Sequence, residues 1–376
     1  MRRGLMGWDA EELPVGVLDD RVRRLRAAMQ RGGVDALLIY TNLVRPSAVS
    51  YLTGFTPYWS EGILLVGRAG PPTFATALSK RVANWIRSVS PVGEIVNTPQ
   101  PGKVLGERLA ADPAVQRVGV LELDAFPSGS YDDLVAAAPG REFVDATDMF
   151  AAARRGADEA EQRLLARADA IAVAALDQVG ADNAANAGSI AGEVEKHARL
   201  NGAEEAYIAV APDVKSDRRM IRAAPALALG DRFALRASIA YKGHWVRRAR
   251  IFAKNAADRT SIARADHWFA ELMRSIEPVK PLAEHIAARI GQLPGGALVS
   301  WMAESSIGSY PLQVVAGSHS PSNRVPAERD LLVLSLELTI DGSPWLGAAP
   351  AIVGGGDVFG RSRVSGDDNA NPPPGP

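Results

Sequence analysis

Short apolar runs alternate with amphipathic segments over the first 150 or so residues. Apolar residues recur at helical spacing over residues 17–31, and Gly32-Gly33 ends the pattern. The apolar run 36–40 then predicts a buried strand. Further strands are predicted at 62–67, 72–76, 94–97, 117–123 and 142–145, with helices near 79–88, 103–111 and 131–138. This order predicts an α/β domain over residues 1–152.

The second half has a different order of elements. A long helix with one apolar face is predicted from Asp158, and a second helix from about 188 to 201. Strands then follow at 207–211, 233–241, 245–252, 331–340 and 351–353, with helices near 259–275 and 280–291. Residues 153–360 are therefore predicted to form an α+β domain. Residues 361–376 are polar and proline-rich and are expected to be a disordered tail.

Charge and composition exclude several function classes. The 376 residues include 42 basic and 43 acidic side chains, so no strong net charge favours nucleic acid or an anionic membrane. The chain has no Cys, which excludes disulfides, thiol nucleophiles and thiolate-bound metals. No stretch approaches the roughly 18 apolar residues of a membrane span, so a cytoplasmic protein is expected.

Four stretches in order resemble one known family. They are VSYLTGF (49–55), ADEAEQRLLARADAIAVAAL (157–176), NGAEEAYIAVAPD (201–213) and LGDRFALRASIAYKGHWVRRARIF (229–252). Together they resemble the creatinase/aminopeptidase P family, whose C-terminal domain has the pita-bread fold. The resemblance implies a creatinase-like α/β N-terminal domain followed by an α+β pita-bread domain.

The resemblance also shows what is missing. Metal-dependent members hold two divalent ions with two Asp, one His and two Glu. In register, the Asp positions are Arg236 and Arg247, the His position is about Ser305, and the Glu positions are Glu337 and about Ala348. Two guanidiniums repel the cations that those carboxylates would hold. The expectation is therefore a protein without metal or other cofactor, and not an aminopeptidase.

Three arginines are candidates for substrate binding. The position of the catalytic His of creatinase, which is itself metal-free, falls on Arg219. Arg219, Arg236 and Arg247 could clamp a carboxylate or phosphate through bidentate contacts. Alternatively, they pair with acidic side chains in a buried network left after loss of a metal site. The candidate partners for that network are Asp213, Asp217, Asp231 and Glu337. Strand alternation places Arg247 and Arg248 on opposite faces, so the arginines cannot all line one cavity.

Two residues are candidates for proton transfer. His244 follows Gly243 at a position that is commonly aromatic in the family, and a neutral imidazole among arginines would suit a general base. The alternative is a half-buried packing histidine. Glu337 could hold a substrate amine or act as acid or base, or it could be a structural ion-pair partner. Ser305 and Tyr310 are further candidates in the cleft, although a nucleophilic serine lacks an adjacent base and Tyr310 could instead be a core residue.

Two-domain members of the family usually dimerise, with the N-terminal domain of one subunit closing the site of the other. The resemblance therefore predicts a homodimer in which Tyr58, Trp59 and Glu61 lie near the partner's pocket, or simply pack in the interface. The expected function is a metal-independent, cofactorless enzyme acting on a small anionic nitrogen-containing molecule by C–N bond hydrolysis. A metal-free elimination or rearrangement and a non-catalytic binding role remain alternatives.

Overall fold

The structure is a computed structural model that describes residues 7–57, 61–183, 186–222, 224, 226–278, 280–305, 313–317, 325–355 and 358–359. The chain divides into two compact units at Arg155 and Gly156. The predicted disordered tail, 361–376, lies outside the described residues. In the described part of the chain, no helix combines the length and hydropathy that crossing a bilayer requires.

The N-terminal unit is built on a six-stranded mixed sheet with strand order β4-β3-β2-β1-β5-β6. The strands are β1 Ala36–Thr41, β2 Gly62–Gly67, β3 Thr73–Thr76, β4 Glu94–Asn97, β5 Arg117–Val120 and β6 Glu142–Asp145. The helices are α1 Val15–Arg31, α2 Ser47–Thr53, α3 Lys80–Val89, α4 Pro101–Ala111, α5 Ser128–Ala137 and α6 Thr147–Arg154.

Both faces of this sheet are covered by helices. Leu25 and Met29 of α1 pack into one apolar cluster with Leu37 and Ile39 of β1. Leu105 of α4 and Leu134 of α5 pack into the other. Because β1 is buried on both faces, its sequence is a nearly continuous apolar run. This is the α/β architecture that the sequence predicts.

The C-terminal unit is built on a seven-stranded sheet with strand order β11-β10-β12-β13-β9-β8-β7, and each described pair of neighbours is antiparallel. The strands are β7 Glu205–Ala211, β8 Arg232–Tyr241, β9 His244–Ala253, β10 Gly296–Ser305, β11 Gln313–Gly317, β12 Leu331–Ile340 and β13 Ser343–Ile352. The helices are α7 Glu159–Asp177, α8 Ala187–Leu200, α9 Ala256–Arg274 and α10 Leu282–Ile290.

Two helix pairs cover one face of this sheet. Residues of α7 and α8 pack against Phe233, Leu235 and Val246. Residues of α9 and α10 pack against a second apolar set that includes Leu336 and Trp345. The opposite face, which we call the inner face, carries Arg236, Ser238, Arg247, Ala249, Ala348 and Glu337. Four of the five positions that the resemblance assigns to metal ligands, Arg236, Arg247, Glu337 and Ala348, therefore share the inner face.

Three strands differ from the sequence-based expectation. β10 and β11 were not predicted, and β13 begins at Ser343, whereas the sequence indicated a strand only over 351–353. β13 contains Pro344, Gly347 and Pro350, residues that normally argue against a central strand. The Asp341-Gly342 turn, in which both residues have positive φ, pairs β13 with β12 and fixes its register. Tertiary pairing therefore overrides local propensity here.

Trp345 links β13 to the helix that covers it. Its ring is fully buried and packs edge-on against Phe269 of α9. Its indole Nε1–H donates a 2.8 Å hydrogen bond to Oδ1 of Asp266, also on α9. Loss of water around this carboxyl group raises the pKa of Asp266 from 3.8 to about 6, against the opposing effects of the Trp345 hydrogen bond and of Arg250 and Arg232.

This raised pKa predicts how stability depends on pH. Because the folded state holds the Asp266 proton more tightly than the unfolded chain, the contribution of Asp266 to the free energy of unfolding falls as pH rises from 3.8 to about 6. Asp266→Asn removes this titration and keeps an oxygen for Trp345. The free energy of unfolding of the variant minus that of wild type should increase by on the order of 3 kcal/mol as pH rises across that interval. Urea unfolding at several pH values measures the gain, and a difference between the two proteins that does not change with pH would contradict the account.

Candidate functional site

The β8–β9 hairpin sets the positions of the two central arginines. Its turn is Lys242-Gly243, and both residues have positive φ, as a two-residue hairpin turn requires. The resulting register pairs Ser238 with Arg247 and Arg236 with Ala249. Because directly paired residues share a face, Arg236 and Arg247 both lie on the inner face.

Arg247 is held in a buried ion pair. Its guanidinium contacts the carboxylate of Glu304, and its Nε donates a 3.1 Å hydrogen bond to Ser238 Oγ. The side chains of Arg247 and Glu304 are only 11% and 5% exposed. Arg247 is on β9 and Glu304 is on β10, with β12 and β13 between them in the sheet. Three strand spacings span about 14 Å, so the two long side chains reach toward each other across β12 and β13 on the inner face.

His244 lies on the other face of β9, so the structure does not bring it among the inner-face arginines. Its Nδ1 is 2.9 Å from the carbonyl oxygen of Lys242, and its Nε2 is 3.9 Å from Glu161 of α7. The reason is strand alternation, since residues 244 and 247 are separated by an odd number of positions. The expectation that His244 sits beside the arginines as a base is corrected accordingly.

The helix-covered side of β9 carries a row of charge pairs with α7. Arg248 forms a bidentate ion pair with the fully buried Asp169, at 2.6 and 2.7 Å. Arg250 contacts Asp177 at 2.6 Å. With His244 and Glu161, these contacts fix α7 along β9. As strand parity predicts, Arg248 and Arg250 are structural and face away from Arg247.

Arg219 is at the surface. It pairs with Asp217 two residues earlier, and this hydrogen bonding lowers the pKa of Asp217 to about 2. The neighbouring Arg218 instead reaches the inner face, where its Nη1 lies 4.0 Å from Oε2 of Glu337. Of the predicted residues, the structure therefore brings Arg236, Arg247 and Glu337 to one face and leaves Arg219 outside it.

The remaining predicted residues are less informative. The backbone of Ser305 pairs with Leu332, and its side chain lies outside the described part. Tyr58, Trp59 and Tyr310 also lie outside the described residues. Glu61 is exposed at the start of β2 and accepts a hydrogen bond from the Tyr40 hydroxyl. Burial, and then this hydrogen bond, raise the pKa of Tyr40.

Comparisons with known proteins identify the fold. Residues 21–155 match the family model of the creatinase/prolidase N-terminal domain. Among solved structures, the chain is similar to the prolidase from Pyrococcus horikoshii OT3, with a TM-score of 0.65 and 16% identity over 89% of this chain and 95% of that one. The chain has the creatinase/prolidase fold. The predicted resemblance and both predicted domain types are confirmed.

Other proteins with the creatinase/prolidase fold have different descriptions. The Xaa-Pro dipeptidase from Bacillus anthracis aligns with a TM-score of 0.66 and 18% identity, covering 89% of this chain and 95% of that one. The N-terminal domain of FACT complex subunit SPT16 from Cicer arietinum aligns with a TM-score of 0.63 and 13% identity, covering 90% and 94%. No curated protein sequence matches the chain significantly. Fold alone therefore does not fix the activity.

The residues at the positions that the resemblance assigns to metal ligands do not fit a pair of divalent cations. Two of these positions hold Arg236 and Arg247, and Ala348, paired with Ala249, has no ligand atom in its side chain. The carboxylate of Glu304 already neutralises Arg247. Within the described ranges, no three His, Asp or Glu side chains converge as metal ligands. Hard cations need several anionic oxygens, and among the described residues at these positions Glu337 alone supplies one.

Sequence reasoning missed Glu304. It directly precedes Ser305, and the expected partners of Arg247 did not include it. One signal was available, because Glu304 is the one charged residue in the otherwise uncharged run ALVSWMAES (297–305). A buried arginine requires a carboxylate, but the sequence does not show that β10 lies within reach of β9.

We predict that Glu304→Gln destabilises the C-terminal unit by about 3–5 kcal/mol, because it leaves the Arg247 guanidinium buried without a counter-charge. Combining it with Arg247→Met should recover most of the loss. The matched control Asp182→Asn, at the exposed Arg259–Asp182 pair, should change stability by less than about 1 kcal/mol. Chemical denaturation measures all of these variants. A double-variant loss equal to the sum of the losses in Glu304→Gln and Arg247→Met measured singly would show that the pair is not coupled.

Proposed function

We propose that this chain is a metal-independent hydrolase of the creatinase/prolidase fold that cleaves a C–N bond in a small anionic nitrogen-containing substrate without a cofactor. One observation carries the proposal. On the inner face, guanidiniums stand at two positions that the resemblance assigns to metal ligands, while the carboxylate of Glu337 is about a third exposed beside Arg218. A partly exposed carboxylate next to cationic groups suits proton transfer on an anionic substrate.

The proposed roles follow from position. Arg236 on the inner face helps to bind the substrate anion. The Arg247–Glu304 pair shapes the part of the inner face on which the substrate lies. Glu337 transfers the proton: the oxygen of water forms the new C–O bond, the C–N bond breaks, and the proton released by water passes to the departing nitrogen. His244 is assigned no step, because it contacts α7 on the other face.

Assembly as a homodimer is also part of the proposal, with the segment 55–62 of one copy closing the site of the other. The exposed position of Glu61 supports this arrangement. We further propose a cytoplasmic location, consistent with the near-balanced charge and the absence of cysteine.

Turnover of defined compounds in ¹⁸O-labelled water tests the proposal. N-acyl amino acids, ureido acids and guanidino acids are incubated with metal-free protein, and the products are analysed by mass spectrometry. We expect amine or ammonia release with one labelled oxygen in the other product. Glu337→Gln should lower kcat by about 10²-fold or more. The control Glu284→Gln, on the exposed surface of α10, should leave kcat unchanged.

A second candidate is a non-catalytic binding protein. The engagement of Arg247 by Glu304 and Ser238, and the position of His244 on the other face, favour this role. Binding without release of any product from the compound set would support it and contradict hydrolysis. Products that carry no label would indicate elimination instead.

A further inference from the structure

A buried histidine lies at the junction between α9 and α10. His285 is on α10 and only 8% exposed. Its Nε2 is 3.0 Å from Oγ of Ser275, the residue that follows α9. The Ser275 hydroxyl donates a 2.9 Å hydrogen bond to the carbonyl oxygen of Leu272, in the last turn of α9. Because a hydroxyl has one hydrogen to donate, Ser275 Oγ accepts from His285, and this places the proton of the neutral imidazole on Nε2.

This contact is one of few polar links between the two helices. In the described part of the chain, two side-chain hydrogen bonds join α9 and the residue after it to α10. One is the contact between His285 and Ser275, and in the other Trp268 Nε1–H donates to the carbonyl oxygen of Arg289 at 3.0 Å. Ile286 of α10 adds apolar contact in the cluster that includes Trp268. The state of the imidazole therefore bears directly on how α10 is held.

The shorter helix buries fewer side chains than its neighbour. Besides His285, α10 buries Leu282 and Ile286. By contrast, α9 buries five apolar side chains: Ile262, Ala265, Trp268, Phe269 and Leu272. Elements that bury little apolar surface open locally at a lower free energy than the one that unfolds the whole unit. We therefore expect α10 to separate from the C-terminal unit before α9 does.

The charges around His285 disfavour a second proton on its ring. Arg289 on α10 and Lys280 before it are positive, while Glu277, between the helices, is negative. Among the described residues, α9 and β10 add no charge to this set, and α9 presents the carbonyl of Leu272. Burial and then Arg289 lower the pKa of His285 below 6.5, against the opposing effects of Glu277 and the Leu272 carbonyl. An opened junction would return the ring to water, where the proton binds more readily.

We propose that His285 is an acid-sensitive latch between α9 and α10. Below neutral pH a second proton binds Nδ1, and residues 282–293 open locally because the resulting cation is better solvated away from α9. The strands of the C-terminal sheet stay paired. Ile286 packs with Trp301 of β10, so the opening uncovers the helix-covered side of the strand that carries Glu304. The latch acts whether or not the chain hydrolyses a C–N bond.

The direction of the pH dependence separates His285 from the other buried titratable group of this layer. Because the opened junction binds the His285 proton more tightly than the closed one, acid favours opening below pH 6.5. Asp266 acts in the opposite direction. Burial raises its pKa to about 6, so its uptake of a proton stabilises the folded state. Loosening of α10 that grows with acid therefore cannot come from Asp266.

Hydrogen–deuterium exchange of the full chain, read by mass spectrometry, tests the latch. Exchange is compared at about pH 7.5 and about pH 5.5, after correction for the intrinsic pH dependence of amide exchange. In wild type, protection of peptides within 282–293 should fall by about threefold or more at the lower pH, while that of β8 and β12 does not fall. His285→Gln keeps a donor for Ser275 and cannot gain a charge, so it should remove the response.

The matched control is His267→Gln on α9. The side chain of His267 is 65% exposed and pairs with Glu271, so this variant should keep the wild-type response. NMR titration of the His285 imidazole in wild type provides a second measurement that does not depend on a variant. A pKa of 6.5 or above would contradict the latch.

Three exchange results would also overturn the proposal. The first is wild-type protection of 282–293 that does not fall with acid. The second is a His285→Gln variant that folds and keeps the full response. The third is a parallel loss of protection in β8 and β12, because this would show that the whole unit unfolds and that α10 does not open by itself.

Discussion

The buried contact between Arg247 and Glu304 determines what the inner face can do. A guanidinium that is only 11% exposed cannot remain without a counter-charge, and Glu304 on β10 supplies it from three strands away. The same contact joins β9 to β10 across the inner face and holds the guanidinium of Arg247 there. The resemblance assigns this position to a metal-binding carboxylate, and the proposed metal-independent function depends on that assignment.

The charged residues on the two faces of β9 have different partners. Toward α7, Arg248 and Arg250 pair with Asp169 and Asp177 and join helix to sheet. On the inner face, Arg247 is neutralised by Glu304. Arg218 and Glu337, on the same face, are 4.0 Å apart and partly exposed. Because adjacent residues on a strand face opposite ways, one run of arginines serves both the core and the site.

The sequence predicted much of the fold and part of the site, for identifiable reasons. β1 and the helix α7 carry strong periodic patterns, and the Lys242-Gly243 turn fixes the register that places Arg236 and Arg247 on one face. Strand β13 was largely missed because its Pro and Gly residues oppose a strand locally. Glu304 was missed because its role depends on strand order, which periodicity does not encode. His244 was expected beside the arginines from its spacing in the family, but parity on β9 sends it to α7.

Metal content and metal-dependent stability of the purified protein test the central claim most directly. The account predicts far less than one metal ion per chain by elemental analysis, and a Tm that does not change when Mn²⁺, Co²⁺ or Zn²⁺ is added or a chelator is present. A ligand that binds the native state raises the Tm. Stoichiometric metal in the protein, together with a Tm that rises with added metal and falls with chelator, would contradict the claim that a guanidinium–carboxylate pair has replaced the metal centre.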